Sequence, residues 1–97
     1  MGFPRNEQTD ELFAAILSHG DIDECYRFFE DICTAKELKE ISSRLCVARL
    51  LDRGESYMDV VSQTGVSSAT VGRVKRCLEY GTGGYRSVIE RLNEKDK

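Results

Sequence analysis

Three basic side chains, Arg73, Lys75 and Arg76, fall in a stretch from Val60 to Leu78 that contains no acidic residue. Just before them stand Ser67, Ser68, Ala69 and Thr70, with Gly72 between the two groups. Guanidinium and ammonium groups neutralise phosphates, and small hydroxyl-bearing side chains hydrogen-bond to phosphates and base edges. The chemistry these residues suit is contact with double-stranded DNA. Charge alone does not exclude an ordinary solvated helix face.

Such side chains read DNA only if one helix presents them to the major groove. The flanking sequence has the form of a helix-turn-helix over about residues 56–79. Gly65 sits where the first helix must stop and can take a positive φ at no steric cost. Val66 follows as the apolar plug between the helices. Val60 and Val61 line the inner face of the first helix, and Val71, Val74 and Leu78 that of the second. Ser67 is a good N-cap. Two positions depart from the motif: Val61 stands where a smaller residue is usual, and Thr64 is less apolar than expected. The same pattern also fits a plain helical hairpin.

The whole chain has 14 basic and 17 acidic residues, a net charge of −3, which argues against a nonspecific nucleic-acid binder. Residues 1–40 carry ten acidic and four basic side chains, and residues 41–97 carry seven acidic and ten basic. An acidic body with a local basic head fits a sequence-specific binder.

The 97 residues predict a single domain with a modest core, of a size that often gains burial by dimerising. No apolar run is long enough for a membrane span and no signal-peptide pattern opens the chain, so a cytoplasmic protein without a membrane partner is expected. Cys25, Cys33, Cys46 and Cys77 form no CxxC pair and read as reduced, core-type cysteines. No metal site is expected, because His19 lies six residues from the nearest cysteine. His19, just before Gly20, reads as a helix end.

Six helices and no strand are predicted. The first runs from about Asn6 to Ser18, with Leu12, Phe13, Ile16 and Leu17 on one face. Asp21 caps the second, whose set Ile22, Cys25, Tyr26, Phe29, Ile32 and Cys33 must bury a face within the subunit or against a partner. Thr34 and Glu37 form a capping box for the third and longest helix, ending near Arg53. Ser56 caps the fourth and Ser67 the fifth. The stretch Gly81-Thr82-Gly83-Gly84 is a loop rather than a phosphate cradle. The sixth helix covers about residues 85–93, and Glu94 to Lys97 form a frayed tail. On a helical wheel Arg44 falls inside the apolar arc of Leu38, Ile41, Leu45, Val47, Ala48 and Leu51. An arginine there needs an ion pair, a bound ligand, or a stem that reaches water.

Thr34 to Leu78 resembles the tryptophan repressor family, and within it the YerC/YecD type. The elements carrying the likeness are Thr34, Arg44, Leu50-Leu51, Arg53-Gly54-Glu55, Ala69-Thr70 and Arg73. The resemblance implies an all-α, six-helix fold forming an intertwined homodimer through the helices of about residues 6–53. In that family two arginines sandwich an indole corepressor and a threonine helps hold its amino-acid part; the matching positions are Arg44, Arg73 and Thr34. Two further positions depart: Val74 replaces a glycine that leaves room for the ring, and Cys77 replaces a serine. A one-residue deletion also falls between Glu55 and Ser56.

The function implied is a sequence-specific DNA-binding transcriptional regulator, a repressor controlled by a metabolite other than tryptophan or by none. The alternative is a homodimeric protein-interaction module on the same fold that does not bind DNA. No cofactor fingerprint and no nucleophile with paired carboxylates points to an enzyme.

Overall fold

The computed structural model describes residues 2–95, so Asp96 and Lys97, part of the expected tail, lie outside the described residues. Among the described residues the regular elements are six α-helices: α1 Glu7–Leu17, α2 Ile22–Ile32, α3 Ala35–Asp52, α4 Tyr57–Thr64, α5 Ser68–Tyr80 and α6 Gly84–Lys95. Five begin where a short polar side chain caps the first turn. The side chain of Asn6 accepts from the Thr9 amide at 3.0 Å while the Thr9 hydroxyl accepts from the Asn6 amide, closing a capping box. Asp21, Ser56 and Ser67 cap α2, α4 and α5. At α3 the Thr34 hydroxyl accepts from the Glu37 amide at 3.1 Å and the Glu37 carboxylate accepts from the Thr34 amide at 2.9 Å. These two bonds favour the carboxylate form and hold Glu37 below its ordinary pKa, the backbone bond contributing most.

The chain divides into two compact units, Met1–Leu38 and Lys39–Lys97. The first unit has no fully buried residue on α1 or α2. His19 ends α1 as expected: its amide donates to the Ile16 carbonyl and its Nδ1 lies 2.8 Å from the same oxygen. The His19 ring also packs at 5.0 Å, centroid to centroid, on Phe28. Phe13, Leu17, Ile22, Tyr26 and Ile32 remain exposed, with Leu17 at 84% and Ile22 at 73%. On the strongly amphipathic α2, Ile22, Tyr26 and Ile32 thus stay exposed while Cys25, Phe29 and Cys33 are half-buried.

The second unit holds the core: Val47 and Ala48 of α3, Val60 of α4, Val71, Val74 and Leu78 of α5, and Ile89 of α6. Leu50, Leu51, Tyr57, Val61, Val66 and Tyr85 pack around it. Polar ties join the ends: Arg49 donates to the Asn93 side chain at 3.3 Å, and Arg86 Nε donates to the Leu78 carbonyl at 3.0 Å.

Three expectations are corrected. Cys25 and Cys33 are half-buried, but Cys46 and Cys77 are exposed and so do not pack as core residues. Apolar periodicity locates the helix, but not which flank the neighbouring helices leave open. The helix near residues 85–93 spans Gly84–Lys95, with Gly83 at φ +93° turning the chain into its first residue. Glu94 and Lys95 therefore continue α6 rather than fray.

Candidate nucleic-acid interface

α4 and α5 meet through the turn anticipated from Gly65, which adopts φ +69° and donates its amide to the Val61 carbonyl at 3.0 Å. Val66 is half-buried against the core, as a plug must be. Thr64, unexpectedly polar, earns its place by hydrogen bonding: its hydroxyl donates to the Val60 carbonyl at 2.7 Å and accepts from the Val66 amide at 3.2 Å. Ser67 Oγ accepts from the Thr70 amide at 3.2 Å and donates to Thr70 Oγ1 at 2.9 Å, so both hydroxyls shape the helix start.

Beyond that start, Ser68, Ala69, Arg73, Lys75 and Arg76 are exposed and Thr70 is half-buried. Successive residues turn about 100° around a helix. Ala69, Arg73 and Arg76 thus share one outer face, opposite Val71, Val74 and Leu78 in the core. Lys75 stands on another flank, where it lines a cavity of about 310 Å³ together with Tyr57, Glu79 and Arg86. The structure therefore separates Lys75 from the two arginines that the sequence grouped with it.

The residues matched to an effector site are distributed unevenly. Val74 is 2% exposed and belongs to the core. Arg44 is exposed, its stem reaching water beside an arc in which Ile41 is also exposed and Leu45 only half-buried. Cys77, one turn beyond Arg73, is exposed as well. Arg44 and Cys77 lie within electrostatic reach of Tyr85, whose phenol is pushed above its ordinary pKa. Burial is the main cause and the Cys77 thiol adds to it, while the Arg44 guanidinium pulls in the opposite direction. Thr34 belongs to the other unit, engaged with Glu37. The cavities of about 310 and 370 Å³ are lined by other residues.

Sequence reading missed two participants. Tyr85, in an expected edge helix, lies within electrostatic reach of Arg44 and Cys77. Tyr57, the first residue of α4, donates its hydroxyl to the backbone carbonyl of Ser68 at the start of α5. The signal for Tyr57 was only its position after the Ser56 cap.

No helix of the described residues is long and apolar enough to cross a membrane, and no group of three or more His, Cys, Asp or Glu among them is placed to hold a metal ion.

Residues 7–93 match the Trp repressor protein family. The chain is 47% identical over 90 residues to the uncharacterized protein YerC of Bacillus subtilis (strain 168), covering 93% of this chain and 86% of that one. It superimposes on a TrpR-like protein from Eubacterium eligens with a TM-score of 0.88 at 46% identity, covering 92% of each chain. A second solved structure, from Staphylococcus aureus, gives a TM-score of 0.88 at 42% identity, covering 92% of this chain and 89% of that one. The six helices, the glycine turn and these matches place the chain in the Trp repressor family, a family of regulators rather than enzymes.

Proposed function

We propose that the protein is a cytoplasmic, homodimeric transcriptional regulator, a repressor, that reads double-stranded DNA with α5. The observation that carries the reading is the exposed face of Ala69, Arg73 and Arg76, held out by a core that buries the opposite face of the same helix. Ser67, Ser68 and Thr70 supply hydrogen-bonding groups at the helix start, and Lys75 reaches phosphate from the flank. The unspent apolar faces of α1 and α2 are the surfaces that a second copy covers, in keeping with the family. A dimer would set two α5 helices on paired half-sites, which multiplies affinity.

An effector, in this reading, is a metabolite held near Arg44, Arg73 and Cys77, with Val74 forming the wall. Arg44→Ala is then expected to weaken the effector response and leave the fold intact. The deciding experiment is affinity selection on fragmented genomic DNA, run with and without a pool of amino acids. Enrichment in either arm supports the reading. No enrichment in either, from folded dimer, refutes it in favour of a protein-interaction module.

A further inference from the structure

We infer that Tyr57 is a positioning residue for the reading helix: its hydroxyl, tethered to the Ser68 carbonyl, fixes how α5 crosses α4. This rests on the DNA-binding reading for its consequence, though not for its geometry. The Gly65 turn joins the end of α4 to the start of α5 at one point, and one point leaves a crossing angle free. Tyr57 supplies a second. It opens α4, eleven residues before Ser68, and its ring packs against the buried core while the hydroxyl donates across to the first residue of α5. A helical carbonyl oxygen has two lone pairs, so the tether adds to the helix's own bonding without displacing it.

Gly72 lies beside the tether. Glycine is a poor choice inside a helix, yet Gly72 lies one turn beyond Ser68 on the side the tyrosine approaches. A Cβ there would stand 3.5 Å from the Tyr57 hydroxyl oxygen and 3.8 Å from Cε2. One methyl would fit in ordinary contact, so Gly72 leaves the approach to Ser68 uncrowded without being required by it. Ser68, Ala69 and Thr70 ride on the turn held in this way, and residues at the start of a reading helix contact base edges. Sequence discrimination should therefore depend on Tyr57 although it reads no base itself.

The test is Tyr57→Phe in the full chain, which keeps the ring and removes only the donor. Two measurements are made on wild type and variant: hydrogen exchange of the Thr70, Val71 and Gly72 amides, and affinity for an enriched genomic fragment against a scrambled one. Exchange is expected to quicken, and affinity for the enriched fragment to fall, each by about two- to twelve-fold, the worth of one ordinary hydrogen bond. Affinity for the scrambled fragment and the salt dependence should stay constant. Unchanged exchange overturns the tether whatever DNA does. Equal losses on both fragments with a shallower salt slope also overturn it, making Tyr57 a phosphate contact. If the wild type enriches no fragment, the DNA reading fails, and faster exchange in the variant still upholds the tether itself.

Discussion

Replacing Arg73 and Arg76 together by glutamine tests the proposed interface most directly. Both side chains are exposed on the outer face of α5, and the helix is anchored from its other side by Val71, Val74 and Leu78. Their loss should leave the fold alone, with unchanged helicity and oligomeric state. The effect on DNA follows from counterion release, in which each phosphate contact steepens the fall of log K with log salt by about 0.9. Two arginines in each of two subunits, each holding one phosphate, contribute a slope of about 3.6. Between about 50 and 200 mM salt that slope is worth roughly a hundredfold in affinity, and the variant should no longer show this part of the salt dependence. Fluorescence anisotropy on an enriched fragment at four or five salt concentrations measures it. Lys75→Gln, on another flank, should change the slope by no more than about two. A double-arginine variant whose slope matches the wild type would refute the assignment of this face to DNA.

Val71→Ala removes two methyl groups from a side chain with no exposed surface, and should cost about 1.5–3 kcal/mol in urea unfolding with an unchanged m-value. A cost below about 0.5 kcal/mol would mean the core is misassigned. Gly65→Ala forces a Cβ into φ +69° and should cost about 1–2 kcal/mol, with DNA affinity falling as the two helices lose their turn. Glu37→Gln tests the α3 cap through pH. The folded-state pKa of Glu37 is depressed, so its contribution is present above the unfolded value of about 4.5 and is lost as pH falls through the folded one. The thermal midpoint of the wild type should therefore drop more steeply below about pH 4.5 than that of the variant, and parallel curves would refute the carboxylate's role.

Much of this architecture was legible because helix ends are local. Asp21, Thr34 with Glu37, Ser56 and Ser67 each announce a helix start within four residues of chain, and Gly65 announces a stop. The Val71, Val74 and Leu78 stripe likewise needs only helical periodicity. What escaped depends on partners distant in sequence. Cys46 and Cys77 lie in apolar-periodic windows, yet their exposure is decided by where neighbouring helices stop covering them. Arg44 lies in an apolar arc that is itself only partly covered, so the cost of burying a guanidinium never arises. The flank occupied by Lys75 was computable from helical geometry, but its pairing with Tyr57 around a cavity was not. Tyr57 carried no signal beyond its place after the Ser56 cap, because its bond to Ser68 exists only once α4 and α5 have crossed.

The packing of α5 also bears on whether an effector is needed at all. A ligand shifts a conformational equilibrium only by its difference in affinity for the two states. Where the reading helix is loose without ligand, that difference can be large. Here α5 buries three side chains in the core, is tied at its start by Tyr57, and has its last turn bonded through the Leu78 carbonyl to Arg86. Val74, where the resembling family leaves room for an indole, is one of those three anchors. The side chain that stands in place of that glycine is thus the same one that anchors the helix in the core. Such an arrangement favours DNA binding that is constitutive with respect to amino acids, and equal enrichment in both arms of the genomic selection is the expected outcome. Fragments enriched only with the amino-acid pool would mean that α5, despite these anchors, samples a second position that Arg44 and Arg73 help a ligand to suppress.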